Sequence, residues 1–117
     1  TVENNTLVGS MWGIFSEDTT SLVVSNNSIR NMKEDGMHLR DTAMSSIRGN
    51  SINNCEDPAI SLYYSSHITV ENNTLVDSKW GIESVNAISL AVRNNTIRNM
   101  KLDGIQLKNL TLSSISG

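Results

Sequence analysis

The side chains best suited to acid–base chemistry stand near the middle of the chain. His38 and Tyr63 can each exchange a proton, and Arg40 can stabilise negative charge that develops on a substrate. A base beside a cation is the combination that removes a proton next to a carboxylate, and Asp41 adds a carboxylate of its own. These four residues are the candidate catalytic set, provided that the fold brings them to one surface. The alternative is an ordinary surface ion pair beside a solvated histidine.

A second candidate site is acidic. Carboxylate oxygens are the ligands that Ca²⁺ takes in proteins, so a calcium site is one interpretation of four neighbouring acids. The other is a solvated turn, because acidic residues next to glycine are common in turns. We expect no cofactor apart from this possible Ca²⁺. The four residues are Glu34, Asp35, Glu56 and Asp57.

Three further residues are candidates for binding or carrying sugars. Trp12 and Trp80 each precede a glycine, and exposed tryptophan rings can stack on sugar rings. They can equally fill space left by a short turn. Asn109 begins the sequon Asn-Leu-Thr and is therefore a candidate glycosylation site.

The sequence repeats, and the repeats predict which elements position these residues. Residues 1–49 and 69–117 share 30 identities, which indicates an internal duplication. Near-identical strings also begin at Val2, Val24, Ile47, Val70 and Val92, at spacings of 22 or 23 residues. The chain is therefore predicted to be a single domain, 1–117, of about five stacked coils.

Each coil predicts about three short strands. Short alternations of apolar and polar residues are separated by Gly, Asn, Asp and Ser, and no stretch is long enough for a helix. Stacked coils place equivalent residues in columns about 4.8 Å apart. Three columns, which begin at Val2, Leu7 and Ile14, are aliphatic throughout and form the predicted core. The predicted fold is all-β, a parallel solenoid.

One inward column is polar in every coil. A buried amide destabilises the fold unless its hydrogen bonds are satisfied. At strand spacing each asparagine can donate to the next, which predicts a continuous internal ladder. We expect Asn50→Leu to destabilise the protein by roughly 1–3 kcal/mol. The ladder residues are Asn5, Asn27, Asn50, Asn73 and Asn95.

The recurring string aliphatic-x-x-Asn-x-aliphatic, as in residues 24–29, resembles the short-coil repeats of the right-handed parallel β-helix, the pectate-lyase-like superfamily. The resemblance covers the whole chain and implies right-handed coils. That superfamily includes polysaccharide lyases, hydrolases and uronate epimerases as well as surface proteins, so the fold does not determine the function. Its enzymes resemble one another in gathering their active residues on the outer face of one sheet.

Aligned coils bring the candidate catalytic residues together. Arg40 and Tyr63 share an outward column with Glu17, and His38 lies two residues away in a neighbouring column. The resemblance implies that such a patch would act on an acidic polysaccharide. Arg40 would then be the cation, and His38 or Tyr63 would be the base that removes the proton beside a uronate carboxylate.

Composition excludes several other functions. The net charge is −3 and the lysines and arginines are scattered singly, so the chain has no basic stripe for nucleic acid and no polybasic membrane anchor. No apolar run reaches 18 residues, so we expect no membrane insertion. Abundant Asn and Ser favour an extracellular or cell-surface location.

The sequence thus predicts a structural or surface-assembly module that also contacts carbohydrate; the alternative is a polysaccharide-processing enzyme (a lyase, hydrolase or uronate epimerase) or a fragment of one, with a lyase or epimerase favoured among these. Residues 1–3 and 114–116 occupy the same phase of the coil, and neither end has a recognisable cap. Unpaired coil edges favour further pairing. The expected partners are therefore polysaccharide and either the flanking coils of a longer solenoid or a second copy, stacked head to tail into a filament.

Overall fold

The computed structural model describes residues 1–111 and 113–117. Its elements within these residues are strands only, and none of the described segments is a helix of the length and apolarity that a membrane crossing needs. The strands are β1 (Val2–Glu3), β2 (Thr6–Val8), β3 (Ile14–Glu17), β4 (Val23–Ser25), β5 (Ser28–Met32), β6 (Met37–Arg40), β7 (Ala43–Arg48), β8 (Ser51–Cys55), β9 (Ile60–Tyr63), β10 (Ser66–Glu71), β11 (Thr74–Val76), β12 (Ile82–Val85), β13 (Ile88–Arg93), β14 (Thr96–Arg98), β15 (Ile105–Lys108) and β16 (Ser114–Ser116).

The strands form three parallel sheets in which neighbours come from successive coils. The first sheet has the order β1-β4-β7-β10-β13-β16. The second has the order β2-β5-β8-β11-β14, and the third β3-β6-β9-β12-β15. Each coil therefore gives one strand to each sheet, and the predicted all-β solenoid of about five coils is confirmed.

The register of the sheets confirms the three predicted core columns. In the first sheet, Val24 lies opposite Val2 on one side and Ile47 on the other. Equivalent pairs extend the Leu7 column through the second sheet and the Ile14 column through the third. These side chains are fully buried in the central coils: Val24, Ile29, Met37, Ile47, Ile52, Ile60, Val70, Leu75 and Ile82.

The coils turn at corners that need a left-handed backbone. Asn26 and Asn72 have φ angles of 55° and 56°, and Gly49 occupies the same column with a φ of 64°. Asparagine and glycine adopt this conformation more easily than other residues. The two asparagines of the repeated Asn-Asn pair therefore have different roles. The first adopts the left-handed backbone of the corner, and the side chain of the second points into the interior.

The second asparagine of each pair builds the predicted ladder, which is confirmed. The Nδ2 of Asn50 donates to Oδ1 of Asn73 at 2.9 Å and to the carbonyl oxygen of Val24 at 3.0 Å. The backbone N–H of Asn50 donates to the same Oδ1 at 2.9 Å. Equivalent bonds run from Asn5 through Asn95.

A column of small residues lets the backbone pass close to the core. A Cβ on Gly36 would lie 2.6 Å from the carbonyl oxygen of Ala59 and 2.6 Å from Cγ2 of Ile52. In the same column, a Cβ on Gly104 would meet only Cγ2 of Ile97, at an ordinary 3.5 Å. The same close approach recurs at Gly13 and Gly81, so the passage is tight wherever the backbone of a following coil lies against the glycine, and it is relaxed at Gly104 in the last coil.

Candidate functional site

The candidate site lies on the outer face of the third sheet, where aromatic rings follow one another across the coils. The rings of Phe15 and His38 are stacked with centroids 5.2 Å apart, and those of His38 and Tyr63 with centroids 5.3 Å apart. Trp12 lies against Phe15 at 5.8 Å in a tilted arrangement. We call these four residues, Trp12, Phe15, His38 and Tyr63, the ring strip.

Strand alternation places the strip outward. In β6, Met37 and Leu39 point into the core, so His38 and Arg40 point out. The parallel register then sets His38 beside Phe15 and Arg40 beside Tyr63. Both outward columns predicted from the repeats are therefore present. The spacing of the Phe15 and His38 rings follows from the strand spacing, whereas Tyr63 reaches His38 diagonally, because the register partner of His38 is Ser61.

A buried carboxylate orients His38. The Oδ2 of Asp35 lies 2.7 Å from Nδ1 of His38, and the hydroxyl of Ser61 donates to the same oxygen. Because a carboxylate only accepts hydrogen bonds, the Nδ1 of His38 carries a hydrogen, and in the neutral imidazole Nε2 is then the acceptor. Asp35 is only 8% exposed, so this arrangement is held rigidly.

The same geometry excludes a serine nucleophile. Ser61 is fully buried, and its hydroxyl lies 3.1 Å from Nδ1 of His38, the nitrogen that Asp35 already occupies. A catalytic serine needs exposure and contact with the other ring nitrogen. Asp35, Ser61 and His38 are therefore a positioning network for the imidazole.

Tyr63 is a hydrogen-bond donor here, because its hydroxyl donates to Oε2 of Glu83 at 2.8 Å. Burial, together with this bond to a carboxylate, raises the pKa of Tyr63 well above its usual range. A raised pKa keeps the phenol protonated at neutral pH. His38 is therefore the candidate base of this site, and the alternative role of Tyr63 as base is disfavoured.

Arg40 lies beside a shallow groove, and two carboxylates flank its guanidinium. Its Nη1 is 3.7 Å from Oε1 of Glu17, and its Nε is 3.4 Å from Oδ2 of Asp41. The groove has a volume of about 230 Å³ and is lined by His38, Arg40, Tyr63 and Tyr64. The structure thus brings the four predicted residues together and adds the exposed ring of Tyr64.

The acidic cluster divides between two environments. Asp35 turns inward to His38, whereas Asp57 forms an ion pair with Lys79 at 3.2 Å. A hydrogen bond with Asp57 raises the pKa of Glu34, because two carboxylates lie side by side. Within residues 1–111 and 113–117, no three His, Cys, Asp or Glu side chains are grouped to hold a metal ion. Calcium binding by these residues, Glu56 included, stays a prediction that the geometry does not favour.

The two tryptophans differ in their surroundings. Trp12 is 45% exposed and belongs to the ring strip. Trp80 is half-buried, and Nζ of Lys79 lies 4.6 Å from its ring centroid. The ring of Trp12 is therefore available to stack on a sugar, whereas Lys79 obstructs the ring of Trp80.

Asn109 lies exposed at a corner of the last coil. Its φ is 55°, and its Nδ2 donates to Oδ1 of Asn86 at 3.0 Å. Glycosylation would attach at this nitrogen in place of one of its two hydrogens. Use of the sequon stays a prediction.

Another hollow lies on the second sheet. It measures about 540 Å³ and was not anticipated from the sequence, although its two stacked amides follow the repeat. It offers one guanidinium and one carboxylate but no aromatic ring and no imidazole, so the groove on the third sheet is the better candidate. Its lining residues are Val8, Arg30, Asn31, Asn53, Asn54 and Asp77.

Comparison with known proteins agrees with this architecture. The family model of the right-handed β-helix region matches residues 1–116. No curated protein gives a significant match to the chain. The family match covers almost the entire sequence and adds the handedness to the three parallel sheets. This chain therefore belongs to the right-handed β-helix family.

Proposed function

We propose that this chain is a rigid β-solenoid module that acts outside the cell or at its surface and binds polysaccharide along its third sheet. The observation that carries the proposal is the ring strip, with Phe15 52% exposed and Trp12 45% exposed. Sugar rings have apolar C–H faces that pack on aromatic rings, and hydroxyl edges that need hydrogen bonds. The strip supplies both kinds of contact.

The polar partners surround the strip. Nε2 of His38 is held as an acceptor, and the half-exposed guanidinium of Arg40 offers donors at the same groove. These side chains stand on strands, so little conformational freedom is lost when a ligand binds. A row of rings on one sheet suits a polymer with a repeating unit.

The assembly role in this proposal uses the Asn ladder. The hollow at the coil-five end is lined by apolar side chains, among them Ile97, Ile105 and Ile115, next to Asn95. A further coil that presented an asparagine there would continue the ladder and the aliphatic columns. We propose that such a coil comes from a flanking stretch of solenoid or from a second copy, stacked head to tail.

Tryptophan fluorescence tests the binding proposal, because Trp12 lies in the strip and Trp80 does not. We expect cello-, xylo- or chito-oligosaccharides to change the emission of wild-type protein and of Trp80→Phe, but not of Trp12→Phe. Loss of one stacked ring in Phe15→Ala should weaken binding roughly three- to tenfold. Ile88→Ala is the matched control, because Ile88 is 50% exposed on the first sheet. Equal losses in both variants, or no binding to any saccharide, would contradict the proposal.

The oriented imidazole favours one alternative, a polysaccharide lyase or epimerase. Nε2 of His38 would take the proton beside a uronate carboxylate while Arg40 stabilises the enolate, and a lyase would then expel the glycosidic oxygen. On this alternative, pectate or alginate should yield an unsaturated product that absorbs in the ultraviolet. His38→Gln should abolish the signal and keep the fold. Inactivity of the wild type on both polymers, with and without Ca²⁺, would reject the alternative.

A further inference from the structure

The charges around the ring strip indicate which class of polysaccharide it takes. Along β3, β6, β9 and β12, and the residue that follows each strand, Arg40 is the one cationic side chain. The next cation of this sheet, Lys108, lies two strands beyond Tyr63. Five carboxylates in or beside the ring strip outnumber this single positive charge: Glu17, Asp18, Asp35, Asp41 and Glu83.

Arg40 is already paired. Glu17 at 3.7 Å and Asp41 at 3.4 Å flank its guanidinium, and both carboxylates remain nearly half exposed. A uronate would have to displace them and would also meet the field of the remaining acids. A neutral sugar meets no such opposition, and a cationic sugar is attracted.

We infer that the ring strip binds a polysaccharide with free amino groups, of the glucosamine type, in preference to a uronate polymer. This inference rests on the proposed saccharide binding. Phe15 and Glu17 lie on the same face of β3, two residues and therefore about 7 Å apart. A sugar stacked on Phe15 can thus direct an ammonium group towards Glu17, and a second ammonium can lie over an exposed ring.

Calorimetric titration with three oligosaccharides of equal length tests the inference. We expect the glucosamine oligomer to bind about tenfold more tightly than the N-acetylglucosamine oligomer at low salt, since the two differ only in charge and acetyl group. The preference should disappear near 1 M salt, where the Debye length is about 3 Å. The galacturonate oligomer should bind most weakly of the three.

Charge-removing variants assign the effect to named residues. The double variant Glu17→Gln, Asp41→Asn should weaken binding of the glucosamine oligomer about tenfold and change the affinity for the N-acetylated oligomer much less, so that the ratio of the two affinities falls. Glu71→Gln is the control, because Glu71 pairs with Arg93 at 2.8 Å on the first sheet. It should change neither affinity.

The outcomes separate the two proposals. Equal affinity for the charged and the acetylated oligomer, or tightest binding of the galacturonate oligomer, would overturn the amino-sugar inference and leave saccharide binding in place. Failure of all three oligomers to bind would overturn the amino-sugar inference, and failure of the cello- and xylo-oligosaccharides as well would overturn saccharide binding.

Discussion

Asn50→Leu is expected to lower the free energy of unfolding by about 3 kcal/mol, the upper end of the sequence-based expectation, because it orphans several buried groups at once. The backbone N–H of Asn27 loses its acceptor, at present 3.0 Å away, and the carbonyl oxygen of Val24 loses a donor. Both lie where water cannot replace the lost partner. Urea denaturation followed by circular dichroism measures the change.

Asn53→Leu is the matched control for that experiment. Asn53 lies on the same strand, β8, with its side chain exposed on the outer face. The same chemical change there should alter stability by less than about 0.5 kcal/mol. Equal stability of the two variants would show that the ladder does not stabilise the interior.

Gly36→Ala is expected to destabilise the protein by about 1–3 kcal/mol, the usual effect of overpacking a well-packed core. The new methyl group would lie 2.6 Å from the backbone oxygen of Ala59, and backbone cannot move away as the tip of a side chain can. Thermal denaturation monitored by circular dichroism gives the measurement.

Gly104→Ala provides the comparison within the same column. Its nearest contact would be Cγ2 of Ile97 at 3.5 Å, which is ordinary packing. We expect a change near zero there, or a small gain from reduced freedom of the unfolded chain. A loss at residue 104 as large as at residue 36 would show that the effect comes from glycine itself and not from the close approach.

The columns could be predicted because a solenoid converts sequence separation into contact by a simple rule. Residues one coil apart, such as Arg40 and Tyr63, become neighbours in a parallel sheet. Alternation then decides which side chains point outward, and this was sufficient to place His38 on the same face. No comparable rule predicts where side chains point in the turns, because the backbone there follows neither the two-residue alternation of a strand nor the regular spacing of the coils.

Asp35 is a turn residue whose role could not be predicted from the sequence. It stands in the turn before β6, and its sequence context favoured a calcium ligand or a solvated turn, whereas its carboxylate binds His38 and Ser61. Trp80 is a different case. It repeats Trp12 in the duplication, but the position equivalent to Phe15 is Glu83, so that position places no ring beside Trp80. That difference was visible in the sequence and would have separated the two tryptophans.

The Asn ladder also gives the solenoid an electrical direction. Every side-chain link runs from the NH2 of one coil to the oxygen of the following coil, so the amide dipoles add along the axis and each polarises the next. Successive peptide dipoles within the strands point to alternate sides and largely cancel. The fold is therefore a polar rod with two different poles. A coil added in the reverse sense would set oxygen against oxygen at the Asn5 pole and NH2 against NH2 at the Asn95 pole, so the amide column favours one orientation of whatever stacks upon it.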